Sequence, residues 1–358
     1  MKESPRPMEP PTPDARAESS ARARQMELTK PPGSLGFLEE LACWFAARLR
    51  NPIPDMPSCE IFVFAADHGV AARGVSAFPS AVTAQMVGNF AAGGAAINVL
   101  AALGNCRIEV VDVGVAGDPV LPASVRRERV RAGSRDLLVE AAMSEAELAA
   151  ALSVGERCAR DAIQRGARLL IAGDMGIANT TAAACLICAF TGASPEQVVG
   201  RGTGVDDAGL ARKKKVVAGA LARVGALSAD EQGHAAWRTL AHLGGLEIAA
   251  MAGFYIEAAR NAVPVLLDGY ISGAAALAAV RLEPSALRWM LASHRSAEAG
   301  HSLALSALGL KPVLDLGLRL GEGSGAAVTL PIIRAALALH RDMATFAQAG
   351  VAGAGPPA

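Results

Sequence analysis

Aromatic residues make up only 4% of this 358-residue chain, and its charges cancel, with Lys+Arg and Asp+Glu at 34 each. Few aromatics argue against a base-stacking platform, and a missing basic excess argues against nucleic acid or an anionic membrane as partner. No nucleic acid and no membrane is therefore expected. Only six cysteines occur: Cys43, Cys59, Cys106, Cys158, Cys185 and Cys188. Cys185 and Cys188 have metal or redox spacing, but no second pair and no nearby His accompanies them. All six read as buried structural thiols in a reducing compartment, which points to the cytoplasm. Met1–Met26 lacks the apolar centre of a secretory signal and is expected to be a disordered extension. No Gly-x-Ser-x-Gly elbow supports a hydrolase triad. His68 has no ligand partner at metal spacing, and His294 and His301 alone make no metal site, so no metal is expected.

One absence is deceptive. Residues 74–106 contain no Asp, Glu, Lys or Arg, a length that can cross a membrane. Gln85, Asn89, Asn98 and several glycines interrupt the run, so a buried amphipathic helix is expected instead.

What is present is length and alanine. Apolar residues reach 52%, and 358 residues suffice for one large or two modest domains. Six short apolar runs read as buried strands: Ile61–Ala66, Ile108–Val113, Leu169–Ala172, Val263–Leu267, Trp289–Ala292 and Val313–Leu316. Between them lie helical patterns, including Val82–Leu103, Glu145–Gln164, Asp207–Val224, Glu247–Ala259 and Ala297–Leu308. Alternating strands and helices imply an α/β fold with a mainly parallel six-stranded sheet flanked by helices. A polar loop follows each strand, and ligands of such sheets bind outside the carboxyl ends of the strands.

Two of these loops hold a carboxylate among glycines. Glu322 stands in Gly321-Glu322-Gly323-Ser324-Gly325, and Asp174 in Gly173-Asp174-Met175-Gly176 before Asn179-Thr180-Thr181. Small neighbours let a ligand approach such a carboxylate, as a general base requires. Asn179 and Thr180 suit a helix start, which caps the helix and offers N–H groups to an anion. Gly200-Arg201-Gly202-Thr203-Gly204 precedes a helix carrying Lys213, so glycine N–H groups, the Thr203 hydroxyl and the Lys213 ammonium can meet a phosphate. Lys214 and Lys215 read as a solvated face.

These segments, with Lys30–Gly36, Ala66–Val70, Phe78-Pro79, Val82–Met86, Gly93–Asn98, Leu266–Gly269, Ser293-His294, Glu298 and Leu314–Leu316, resemble the nicotinate-nucleotide–dimethylbenzimidazole phosphoribosyltransferase family from about Lys30 to Val351. The resemblance implies a transfer of phosphoribosyl from nicotinate mononucleotide to 5,6-dimethylbenzimidazole or a related base, in assembly of the cobalamin nucleotide loop, without a cofactor. It implies a homodimer with a Rossmann-like large domain over residues 51–325. A small helical domain would draw on residues 27–50 and 326–358. It assigns the catalytic base to Glu322 with Asp174 at the ribose. Gly176, Asn179, Thr180, Gly202, Thr203 and Lys213 fall at the phosphate and ribose, and Phe78, Gln85, Met175 and Leu320 at the base. The family usually has Glu and Gly where this chain has Asp174 and Ala178.

Two other readings compete. A diphosphate-dependent phosphoribosyltransferase is suggested by Val110–Gly117, although that segment has one acid rather than an adjacent pair. A non-catalytic nucleotide-binding paralogue is suggested by Asp174 and Ala178.

Overall fold

A computed structural model of the chain describes residues 9–225 and 232–352. Residues 1–8 of the expected extension and 353–358 of the expected helical domain lie outside the described residues. Six strands form one sheet: β1 Cys59–Ala66, β2 Arg107–Gly114, β3 Arg126–Arg127, β4 Leu169–Met175, β5 Val265–Leu267 and β6 Met290–Ala292. Their order is β3-β2-β1-β4-β5-β6, and every pair is parallel. The order reverses between β1 and β4, which is where doubly wound sheets open a crevice for ligands.

The central strands are mostly apolar because both faces are covered, with Glu60 in β1 and Asp174 near the end of β4 as charged exceptions. All eight residues of β1 are buried. Phe62, Phe64, Leu170 and Ala172 join the helices Glu145–Gln164, Leu246–Arg260 and Tyr270–Leu282 on one face. Ile61, Val63, Leu169 and Ile171 join Phe37–Leu49 and Ser324–Asp342 on the other. Side chains that alternate along a strand thus build two cores from one sheet.

Four expectations change. The run Val313–Leu316 forms no strand. Leu314 makes one isolated bridge to His294, and Leu316 is exposed. Pro312 brings no N–H to that edge. The sixth strand is Arg126–Arg127, whose charges are satisfied by neighbours such as Asp161, 2.6 Å from Arg126. The expected helix Val82–Leu103 is two, Ala81–Ala92 and Ala96–Gly104, because Gly93 ends the first at φ 82°. The helix expected from Ala297 begins at His301.

The fourth change concerns the expected disordered extension, which contains the helix Ala15–Glu27. Asp14 caps it by accepting from Arg16 and Ala17 N–H groups at 2.9 and 3.0 Å. Only Ala17, Ala21 and Gln25 are buried, so the helix carries no apolar stripe for a sequence pattern to reveal. Tertiary contacts hold it. Gln25 Nε2 lies 2.8 Å from His340 Nδ1, and Leu28 bridges to Thr345. The segments around Gln25–Leu28 and His340–Thr345 therefore meet.

Candidate active site

A cavity of about 280 Å³ opens where the loops after β4, β5 and β6 converge. This is at the low end of small-ligand pockets. Asp174, Met175, Gly176, Asn179 and Thr180 line it from the β4 loop, and Gly202 and Thr203 from the glycine segment. Phe78 and Leu320 line it while staying 52% and 58% exposed, so they stand at its mouth.

Glu322 is buried beside this cavity, whose wall includes its neighbour Gly321. Gly321, Glu322 and Gly323 all have left-handed backbones, at φ 90°, 65° and 88°. For a glutamate that conformation costs roughly 1–2 kcal/mol. Asp268, at the end of β5, offsets it. Its Oδ2 accepts from Gly323 N–H at 3.1 Å and its Oδ1 from Ala326 N–H at 3.0 Å, at the start of Ser324–Asp342. From below, Glu322 N–H donates to the Asp174 carbonyl at 3.3 Å. Gly173 permits that approach, since a Cβ there would lie 2.2 Å from the Glu322 carbonyl. The break at Gly93 also matters. It creates a second helix start, whose Ile97 N–H donates to Glu322 Oε2 at 3.4 Å. Burial raises the Glu322 carboxyl above the usual range. Ile97 opposes the shift and Asp268 adds to it.

Asp174 is buried, and its Oδ2 accepts from Asn179 Nδ2 at 2.8 Å. Burial raises its carboxyl well above the ordinary value, with further repulsion from Asp268, Glu247 and Glu322. The site floor is thus a region of negative potential. Ala178, four residues on, has φ 75° and precedes the helix Asn179–Thr191 without a side-chain cap. Alanine therefore holds here a backbone that glycine adopts freely, which keeps the loop shape at some cost.

Lys213 does not line the cavity but lies buried behind Thr180 and Gly202, which do. Lys213 is 1% exposed, and its Nζ donates to Thr180 Oγ1 at 2.6 Å. Burial pulls its ammonium down to about 8, while Glu298 opposes this. Gly202 sits at φ 53°, and a Cβ there would lie 2.8 Å from Thr180 Oγ1 and 3.0 Å from Lys213 Nζ. Only glycine leaves that space open. With a helix start beside it, the arrangement suits an anion.

Two expected residues are placed otherwise. Gln85 is exposed on the helix Ala81–Ala92 and does not line the cavity, because Thr83, Val87 and Phe90 form that helix's buried face. Thr83 serves the site instead, accepting from Ile177 N–H at 3.1 Å. Thr203 lines the cavity, but its hydroxyl lies 3.3 Å from both Ser76 Oγ and Ala77 N. It ties the glycine segment to the loop carrying Phe78. His68, which invited a metal reading, pairs with buried Glu247 at 2.7 Å. That partner raises its pKa against the effect of burial. Sequence reasoning flagged the loops of Asp268, His294 and Glu298 but gave none of the three a role.

A family profile described as Phosphoribosyltransferase matches residues 10–351. The chain is 60% identical over 346 residues to the nicotinate-nucleotide–dimethylbenzimidazole phosphoribosyltransferase of Chromobacterium violaceum, covering 95% of this chain and 97% of that one. It is 52% identical to the Mycobacterium tuberculosis protein of the same name, covering 95% and 93%. A crystal structure of the Thermus thermophilus protein, again of that name, superposes with TM-score 0.89 at 45% identity, covering 95% of this chain and all of that one. With this agreement along nearly the whole chain, and a site built on the shared fold, the protein belongs to the nicotinate-nucleotide–dimethylbenzimidazole phosphoribosyltransferase family.

Proposed function

We infer that this chain transfers the phosphoribosyl group of nicotinate mononucleotide to 5,6-dimethylbenzimidazole or a related base, releasing nicotinate and forming α-ribazole 5′-phosphate. The observation that carries the reading is one cavity lined by Asp174, Thr180 and Gly202, with buried Glu322 beside its Gly321 wall and buried Lys213 hydrogen-bonded to Thr180. The phosphate belongs by Lys213, Thr180 and Gly202, and the ribose then extends toward Asp174. The base lies between Phe78, Met175 and Leu320, with one nitrogen facing C1′.

The unprotonated base nitrogen attacks C1′ as the C1′–N bond to nicotinate breaks. The bonding pair returns to the pyridine nitrogen, which becomes neutral and needs no acid. The second base nitrogen loses its proton to Glu322, a step worth about 10²–10⁴-fold in rate. Asp174 faces the positive charge that grows on the ribose. Attack opposite the leaving ring turns β into α at C1′. Purified protein incubated with nicotinate mononucleotide and a panel of bases is expected to give the α-nucleotide, identified by mass and anomeric configuration. A β-product, or none from any base, overturns the reading.

Lys213→Ala is expected to weaken nicotinate mononucleotide binding about 10–150-fold, the loss of one charge-assisted hydrogen bond. Base binding should be spared. An equal effect of Lys214→Ala, on the same helix, would show that general charge and not this contact is responsible.

The reading includes a homodimer in the cytoplasm. Six free cysteines suit a reducing compartment. Between Ala81 and Gly104 only 28% of an apolar window is buried, and Val99 and Leu103 are 59% and 72% exposed. Spaced i and i+4, they share one helix face, and a second copy is the proposed cover. Leu103→Asp should shift sedimentation from dimer to monomer, and an unchanged dimer would place the interface elsewhere.

A further inference from the structure

We propose that Glu298 binds the ribose of the nucleotide, its carboxylate accepting a hydrogen bond from the 2′,3′-diol and so selecting a ribonucleotide over a deoxyribonucleotide. The proposal rests on the reading of the site above. Glu298 is 8% exposed and lines the cavity. Its Oε2 is closed off from solvent and has no hydrogen-bond partner among the described residues. The hydrogen bonds that Glu298 makes run through its backbone. Its N–H donates to Ser296 Oγ at 3.3 Å, and its carbonyl accepts from His301 N–H at 3.1 Å. Beside it, Ala297 N–H donates to the Leu318 carbonyl at 2.9 Å, and Ser296 N–H to His301 Nδ1 at 2.8 Å. The segment is fixed while the carboxylate is left without a donor. Gly200 leaves room for it, since a Cβ there would lie 2.1 Å from Oε2 and displace it.

A buried carboxylate without a donor costs stability, so one held against a cavity points to a donor that the ligand brings. The cations of the site are engaged elsewhere. Lys213 donates to Thr180 Oγ1 at 2.6 Å, and Arg319 to the Gly202 carbonyl at 3.2 Å. The two substrates offer few donors. The phosphate and the nicotinate carboxylate are anions, which Glu298 repels. The base has one N–H, whose proton goes to Glu322. The ribose hydroxyls remain, neutral donors that a carboxylate binds strongly without taking their protons. Position agrees with chemistry. Glu298 packs on Gly200, two residues before Gly202, and Asp174 lines the same cavity. A ribose with its phosphate by Gly202 and its C1′ facing Asp174 presents its diol inside the cavity that Glu298 lines.

The test is calorimetric binding of nicotinate mononucleotide and of its 2′-deoxy and 3′-deoxy analogues, at one pH and without base. Wild type is expected to bind the ribonucleotide about 10–150-fold more tightly than at least one deoxy analogue, the range for one hydrogen bond to a charged group. Glu298→Ala should weaken nicotinate mononucleotide by a similar factor and leave the Kd of that deoxy analogue nearly unchanged. Removing the carboxylate and removing the hydroxyl are then non-additive, as for two groups in contact. Glu298→Gln keeps an acceptor oxygen without the charge, so its affinity should fall between wild type and Glu298→Ala. Inorganic phosphate, which has no diol, should bind Glu298→Ala no more weakly than wild type. Three results overturn the proposal: equal wild-type affinity for all three nucleotides, an equal loss for all three in Glu298→Ala, or weaker phosphate binding in that variant, which would place Glu298 at the phosphate. Should Glu298→Ala fail to fold, Glu298→Gln carries the same comparison, with a smaller loss expected for the ribonucleotide and none for the deoxy analogue. Failure of the wild type to form the α-nucleotide would strike the reaction reading and leave these binding constants interpretable.

Discussion

Glu322→Gln should lower turnover at least about 100-fold, the low end for a lost general base, while folding and nucleotide binding persist. Glutamine has the same shape, and its amide oxygen can still accept from Ile97 N–H. The strained loop is anchored by Asp268 through Gly323 and Ala326, and not by the Glu322 side chain. Stability should therefore change little. The pH profile supplies an independent reading. A base works when deprotonated, and burial raises the Glu322 carboxyl above its ordinary value. The wild-type rate should climb with pH through that raised value, and the climb should vanish in the variant. Near-normal turnover by Glu322→Gln, or an unchanged acid limb, would sink the assignment.

The sequence shows the apolar stretches of β1 and β4 clearly because strands covered on both faces are rich in apolar residues, but not their ends, where Glu60 and Asp174 lie. It hides β3, which has two residues, both arginine, and exists because Asp112 and Val113 present backbone groups to Arg126–Val130. Glu322 is legible because a lone carboxylate among glycines has few structural duties. Asp268 is not, because its work lies 55 and 58 residues away, at Gly323 and Ala326. Gln85 shows the opposite failure. It sits within a segment that resembles the family's, but the side chain two residues earlier, Thr83, is the one on the buried face. A resemblance fixes the segment, whereas the helix phase decides which residue reaches the site. Ala178 is a third case. The resemblance implies a glycine there, which suits a left-handed backbone, and the structure has that backbone at φ 75° with alanine.

Asp174→Asn is the second substitution with a large expected effect, about 100–1,000-fold in kcat/KM, as for loss of one preorganised electrostatic group. The carboxyl is raised well above its usual value by burial and by Asp268, Glu247 and Glu322, so it holds its proton more tightly than an ordinary aspartate. Nicotinate mononucleotide carries a positive pyridinium ring, and more positive charge develops on the ribose in the transition state. Bound substrate should therefore pull the Asp174 pKa back down and release a proton. Calorimetry in buffers of different ionisation enthalpy measures that release, which Asp174→Asn should abolish. Stability should move the other way. A carboxyl raised by folding stabilises the protein fully below its unfolded value of about 3.9, and that contribution is lost as pH rises through the folded value. At neutral and alkaline pH the neutral Asn should thus give a higher Tm than Asp, while its amide can still accept from Asn179 through oxygen. A more stable and nearly inactive variant is the expected pair of results. Because Asn imitates the protonated acid, full activity in Asp174→Asn would mean that Asp174 serves only as a neutral hydrogen-bonding group. The electrostatic role assigned to it here would then be wrong.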